Sequence, residues 1–183
     1  MKAILMSIHP KWCEKIFDGE KTIEIRKTVP KLETPFKVYV YMTKRKWIFK
    51  FLPFLKNRFA KVIGSFVCDR IDEYAYATIA CAKFEVNGAE VAEHKRYNAG
   101  ACLTAEEMFE YSNGRSLCGW HIFEPKLFDK PRELSEFKKE GFMSEEEWLY
   151  ALYPNTHCHY EAWAKKFTIT RPPQSWCYVE EEK

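Results

Sequence analysis

No acidic residue falls between Phe36 and Cys68, a stretch that holds Lys37, Lys44, Arg45, Lys46, Lys50, Lys56, Arg58 and Lys61. No uninterrupted apolar run approaches the ~20 residues that a membrane-spanning helix needs. The most apolar stretch, Trp47–Leu55, is broken by Lys50 and Pro53. Neither a G-x-G-x-x-G fingerprint nor a P-loop occurs, which leaves a nucleotide cofactor on a glycine-rich loop unsupported, and no cofactor is expected. The seven cysteines, at 13, 68, 81, 102, 118, 158 and 177, include no C-x-x-C pair. There is no signal-peptide pattern at the start, so the cysteines read as reduced thiols in a cytoplasmic protein.

What is present suits one packed domain. The chain has 183 residues, 46% hydrophobic and 16% aromatic. A chain of this length buries about 70% of its unfolded surface on folding. Disorder is excluded as the general state. The net charge of +3 is small, but it is unevenly spread, with Glu180, Glu181 and Glu182 opposing the basic stretch. Such asymmetry points to a polyanion-facing side.

The pattern of elements is α+β. Residues 2–8 read as a buried strand, and Pro10 opens a short helix with Trp12, Cys13, Ile16 and Phe17 on one face. Gly19 stands where a left-handed helix cap is wanted. Residues 21–27 alternate as a strand, with Thr22, Glu24 and Arg26 on one side and Lys21, Ile23 and Ile25 on the other. Further strands are expected at 36–43, 60–70, 83–86, 116–123 and 176–179. Thr104 with Glu107, and Ser144 with Glu147, form capping boxes that open two helices. Residues 131–137 read as a turn or short helix. Parallel βαβ units are not evident, and the short strands favour a small barrel.

The residues Gly19, Lys21, Glu24 and Arg26 fit G-x-K-x-x-E-x-R, preceded by Ser7-Ile8-His9-Pro10 and a short helix. In that context the chain resembles the ASCH domains, members of the PUA-like superfamily. Trp120-His121-Ile122, Phe128-Asp129-Lys130-Pro131 and Pro172-Pro173-Gln174-Ser175-Trp176 are similar to segments of small stand-alone bacterial and phage members. The resemblance implies one domain over residues 1–183, built as a PUA-like mixed or antiparallel β-barrel with flanking short helices. A basic-aromatic insertion occupies about 44–58. It also implies binding of RNA or a modified nucleoside in a cleft lined by Lys21, Glu24 and Arg26. Some relatives are enzymes, among them hydrolases of N4-acetylcytidine and ribonucleases. The acetylcytidine branch has a threonine nucleophile where this chain has Glu24, and the nearest hydroxyl here is that of Thr22.

Each candidate has a chemical reason. Lys21, Glu24 and Arg26 would be the catalytic group if the chain is an enzyme: burial can make a lysine a useful base, and Arg26 can grip a phosphate or a carbonyl. Glu24 would activate water, with Asp69 a weaker second acid. The alternative is an ion-pair group that only braces the strand. Lys44, Arg45, Lys46, Trp47, Lys50, Lys56 and Arg58 combine phosphate-binding cations with an aromatic that can stack on unpaired bases. Ser7, Asp69, Trp120, His121 and Trp176 complete the expected pocket, although Trp120 and Trp176 also read simply as core. No metal is expected: Cys118 and His121 fall on opposite faces of a regular strand, and the run His157-Cys158-His159 lacks a well-spaced partner pair. No membrane partner is expected. A protein-interaction module is the remaining alternative.

Overall fold

The computed structural model describes residues 2–44, 57–85, 100–151 and 160–181. Among the described residues there are eight strands: β1 (Lys2–Ile8), β2 (Ile23–Arg26), β3 (Phe36–Met42), β4 (Val62–Cys68), β5 (Ile71–Tyr74), β6 (Leu117–His121), β7 (Phe123–Arg132) and β8 (Trp176–Glu180). The α-helices are α1 (Pro10–Phe17), α2 (Tyr76–Glu85), α3 (Ala105–Ser112), α4 (Glu145–Ala151) and α5 (Tyr160–Phe167), with a 3-10 turn at Leu134–Glu136. The strands make a sheet of order β7-β4-β3-β1-β8 and a sheet of order β2-β6-β5. The α+β expectation therefore holds. Among the described residues the strands form two sheets and no closed barrel.

The chain divides into two compact units. The first comprises Met1–His9, Lys37–Gly64 and Phe128–Lys183, and the second Pro10–Phe36 and Ser65–Leu127. In the first, β1 pairs in parallel with β3 and antiparallel with β8. Residues Ala3 to Ile8 of β1 are all buried, on both faces of the strand, which is why the sequence reads as a continuous apolar run rather than an alternation. Ala3, Leu5, Tyr39, Val62, Phe137 and Val179 build the core of this unit. The parallel β1–β3 pair fits the mixed sheet that the resemblance implies, although no βαβ unit is evident in the sequence. The crossover between them runs through α1 and β2, so it does not show as a simple βαβ pattern.

The second unit holds the three-stranded sheet. Ile25, Tyr74, Ile79, Ala101, Met108 and Leu117 form its core. Thr104 accepts from the Glu107 amide at 3.1 Å and donates its own amide to the Glu107 carboxylate at 2.9 Å, the expected capping box of α3. Asn113 closes that helix in the left-handed region at φ 48°. In the first unit, Ser144 and Glu147 make the same reciprocal pair ahead of α4.

Four elements differ from the sequence reading. Strand β5 is not expected, because at four residues it is too short to show a clear alternation. The strand expected at 83–86 is, through Glu85, the end of α2. Its alanines at 77, 80 and 82 favour a helix and carry no strand alternation. Strand β7 was not expected, because it is mostly exposed and contains Pro125 and Pro131. It lies at the end of its sheet, where proline costs no ladder bond on the open side. Helix α5 also went unread, and none of its residues is fully buried, so its apolar face gives a weak signal. No helix among the described residues is long and apolar enough to cross a membrane.

Candidate functional site

The turn after α1 sets the position of Lys21. Gly19 adopts φ +79°, and nothing lies within 4 Å of where its Cβ would be. Its role is conformational: a left-handed residue lets the chain fold back over the helix end. The Lys21 amide then donates to the Lys15 carbonyl at 2.8 Å, and the Thr22 and Ile23 amides both donate to the Gly100 carbonyl at 2.8 and 2.9 Å. Residues 100–102 are thereby clasped along residues 20–23.

Lys21 is 2% exposed, Glu24 6% and Arg26 7%. Glu24 sits between the two cations, with Oε1 at 2.9 Å from Arg26 Nη2 and Oε2 at 3.5 Å from Lys21 Nζ. The Lys21 ammonium also donates to the Ala101 carbonyl at 2.5 Å. It lies 5.0 Å from the centre of the Trp12 ring, against which Lys11 also rests at 4.4 Å. Charges buried this deeply persist only when paired. Two cations share the Glu24 carboxylate.

Burial pushes the Lys21 ammonium below the ordinary lysine value. Glu24 and then Cys102 pull it back up, and Arg26 pushes it down. In the window from that lowered value up to the ordinary 10.5, the unfolded chain binds more protons at Lys21 than the folded one. Stability attributable to Lys21 therefore rises with pH across that window. We expect urea titrations across alkaline pH to show this rising contribution as the difference between wild type and Lys21→Met. A difference independent of pH would contradict it.

The strand expected from residue 21 begins at Ile23, so Lys21 stands outside the alternation and its side chain reaches Glu24 rather than the Ile23 side. Glu24 lies opposite Trp120, and Arg26 opposite Cys118, on the paired strand β6. Trp120 is fully buried and meets Phe36 edge-on at 5.6 Å, as a core residue would. His121 pairs with Ile23, on the other face of the strand. Its Nε2 lies 2.7 Å from Asp72 Oδ2 and 3.0 Å from Arg70 Nη2. It is thus not gathered with Glu24 and Arg26.

Asp69 is exposed at the end of β4. Ser7 and Trp176 belong to the first unit. The Ser7 hydroxyl donates to the Pro173 carbonyl at 2.7 Å, and Trp176 is half-buried against Tyr178. Of the basic set, Lys44 is exposed, and Arg58 donates to the Phe128 carbonyl at 3.3 Å. Arg45, Lys46, Trp47, Lys50 and Lys56 lie outside the described residues, as do His157, Cys158 and His159. Among the described residues no group of His, Cys, Asp and Glu has the arrangement of a metal site.

A groove of about 700 Å³ also lies in the second unit, lined by Val29, Leu32, Glu33, Thr34, Ile71, Glu73 and Cys118. It does not include the buried charges, but Cys118 is the residue opposite Arg26. Sequence reasoning missed three contributors to the charged group. Trp12 read only as part of an apolar helix face, Ala101, 80 residues from Lys21, acts through its backbone, and Cys102 beside it has no motif around it.

Searches of known proteins agree with this frame. No curated protein matches the chain. Among solved structures, one point-mutant form of the ASCH protein ZmASCH from Zymomonas mobilis is similar at 15% identity and TM-score 0.56, covering 99% of this chain and 92% of that one. A second mutant form gives 15% identity and TM-score 0.55, over 98% and 89% of the two chains. These likenesses concern the fold. The sequence model of the ASCH domain matches residues 6–170, nearly the whole length, and the chain belongs to the ASCH domain family.

Proposed function

We propose that this chain is a single ASCH domain on a PUA-like frame that binds RNA or a modified nucleoside at the Lys21–Glu24–Arg26 group. The observation that carries this reading is the burial of three charged side chains, two of them cations, beside the half-buried ring of Trp12. Arginine and lysine are the side chains suited to a phosphate or a nucleobase carbonyl. Trp12 supplies a face on which a base can stack. The insertion at about 44–58 adds phosphate contacts from Lys44, Arg45, Lys46 and their neighbours. The scattered free thiols suit a cytoplasmic site of action.

The test is binding of a short single-stranded RNA, and of free modified nucleosides, at two salt concentrations. With four phosphate contacts, affinity for the RNA falls roughly fifty-fold between about 50 and 200 mM salt. Trp12→Ala should weaken either ligand by about five- to hundred-fold, the range of a lost base stack, with little change in melting temperature. Triple alanine replacement of Lys44, Arg45 and Lys46 should flatten the salt dependence. Absence of binding to both ligand types at low salt would overturn the reading and leave a protein partner.

A second reading is hydrolysis, of an acylated nucleoside or of RNA, at the same group. The depressed proton affinity of Lys21 favours it, because a lysine that gives up its proton more readily can serve as a base. Both carboxylate oxygens of Glu24 are engaged by cations, which makes Glu24 a poor candidate for activating water.

A further inference from the structure

The groove of about 700 Å³ in the second unit is formed by residues 29–34, after β2, and by strands β5 and β6. Its walls are chemically divided. Val29, Leu32 and Ile71 present hydrocarbon, and Glu33 and Glu73 present carboxylates. No basic side chain lines it. Among the described residues neither carboxylate has an ion-pair partner. Burial, and then Glu73, push the Cys118 thiol above its ordinary value, so it stays protonated at neutral pH and adds no charge to the wall. Across the sheet Arg26 stands opposite Cys118, and Cys118 opposite Glu73. Directly opposed residues point to one face, so Glu73 lies two strand spacings, about 10 Å, from Arg26 on the same face. The groove is thus a neighbour of the charged group and not part of it.

We propose that this groove binds a small organic cation, an alkylamine whose ammonium meets Glu33 and Glu73 and whose hydrocarbon body lies on Val29, Leu32 and Ile71. The proposal goes beyond the reading above and does not depend on it. Charge and surface together select this class. An anion would face two carboxylates with no counter-charge on the wall. A neutral apolar ligand would take water from both carboxylates and leave them unpaired, at a cost in free energy. An inorganic cation would answer the charge but leave the hydrocarbon wet, and among the described residues no group has the arrangement of a metal site. An alkylamine satisfies both halves, hydrocarbon against hydrocarbon and ammonium donating to carboxylate. The volume falls within the usual span of small-molecule sites, about 300–1,000 Å³.

The experiment titrates the full chain with hexamethylenediamine at neutral pH and low salt, and follows the backbone amides by NMR. Hexanol is the control with hydrocarbon and no charge, and magnesium chloride the control with charge and no hydrocarbon. The diamine should give saturable shifts centred on Val29, Leu32, Glu33, Ile71, Glu73 and Cys118, and should bind more tightly than either control. Glu33→Gln and Glu73→Gln should each weaken it by about two- to five-fold, the range of an exposed ion pair, and the double variant by roughly ten-fold. Val29→Ser should weaken it by about three-fold through lost hydrocarbon contact. Val29 is 51% exposed and both glutamates are exposed, so these variants leave the core intact.

Hexanol binding as tightly as the diamine would make the groove merely apolar, and magnesium binding as tightly would make it merely acidic. Either result overturns the proposal. So do shifts that fail to saturate or fall elsewhere, and so does an affinity unchanged in the Glu33→Gln, Glu73→Gln double variant. No arm uses RNA or a nucleoside, and no variant touches Lys21, Glu24 or Arg26. Failure here is therefore distinguishable from failure of RNA binding.

Discussion

Glu24→Ala lowers the stability of this protein by about 3–5 kcal/mol, the usual cost of leaving a buried charge without its partner. The variant strands two cations rather than one. Lys21 keeps the Ala101 carbonyl but loses its counter-charge, and Arg26 loses the carboxylate at 2.9 Å. In a chain of this size such a loss lowers the melting temperature by roughly 6–20 °C. Lys21 can relieve part of the cost by giving up its proton, whereas arginine cannot. The loss should therefore be smaller at high pH, which thermal melts at two pH values will check. The apolar triple Lys21→Met, Glu24→Leu, Arg26→Met is the informative companion. Replacing a whole buried ion group with apolar residues is often neutral or stabilising. Recovered stability together with lost ligand binding would mean that the charges serve function, while recovered stability with intact binding would mean that they only brace the strand.

Gly119→Ala is expected to be almost as damaging, for a steric reason. A Cβ at residue 119 would lie 2.7 Å from Cε2 and 2.8 Å from the hydroxyl oxygen of Tyr74, and 2.9 Å from Cγ2 of Ile23. Residue 119 sits in β6, hydrogen-bonded to β2 on one side and β5 on the other, so the backbone cannot step aside. Tyr74 is buried in the core of its unit, so its ring must displace packed neighbours to make room. Overpacking of this kind costs about 1–3 kcal/mol or more. We expect the upper end, a fall of roughly 6–12 °C in melting temperature. The double variant Gly119→Ala, Tyr74→Leu should recover part of it, because the two residues contact each other and their effects do not add. An unchanged melt in Gly119→Ala would mean that the Tyr74 ring can swing out.

Some of this was legible in the residues alone. The buried run of β1, the proline-led α1, the left-handed Gly19 and both capping boxes follow from local chemistry, because each depends on residues within a turn or two of chain. The motif from Gly19 to Arg26 also named the three charges that the fold buries together. Its alternation placed Glu24 and Arg26 on one face correctly, but not Lys21, which lies before the strand begins. Strand β7 and helix α5 escaped because neither buries a clean face.

The sequence by itself determined the α+β class, the family and the charged triplet, since those reside in short spacings and local propensities. Only the tertiary structure decided what the triplet touches. Pairing β2 with β6 put Trp120 opposite Glu24 and sent His121 to the other face, where Asp72 and Arg70 hold it. The clasp of residues 100–102 along residues 20–23 brought the Ala101 carbonyl to Lys21 and the Cys102 thiol to the Glu20 carbonyl. No local pattern encodes such a meeting, because contacts between distant segments arise from packing and leave no periodicity in either one.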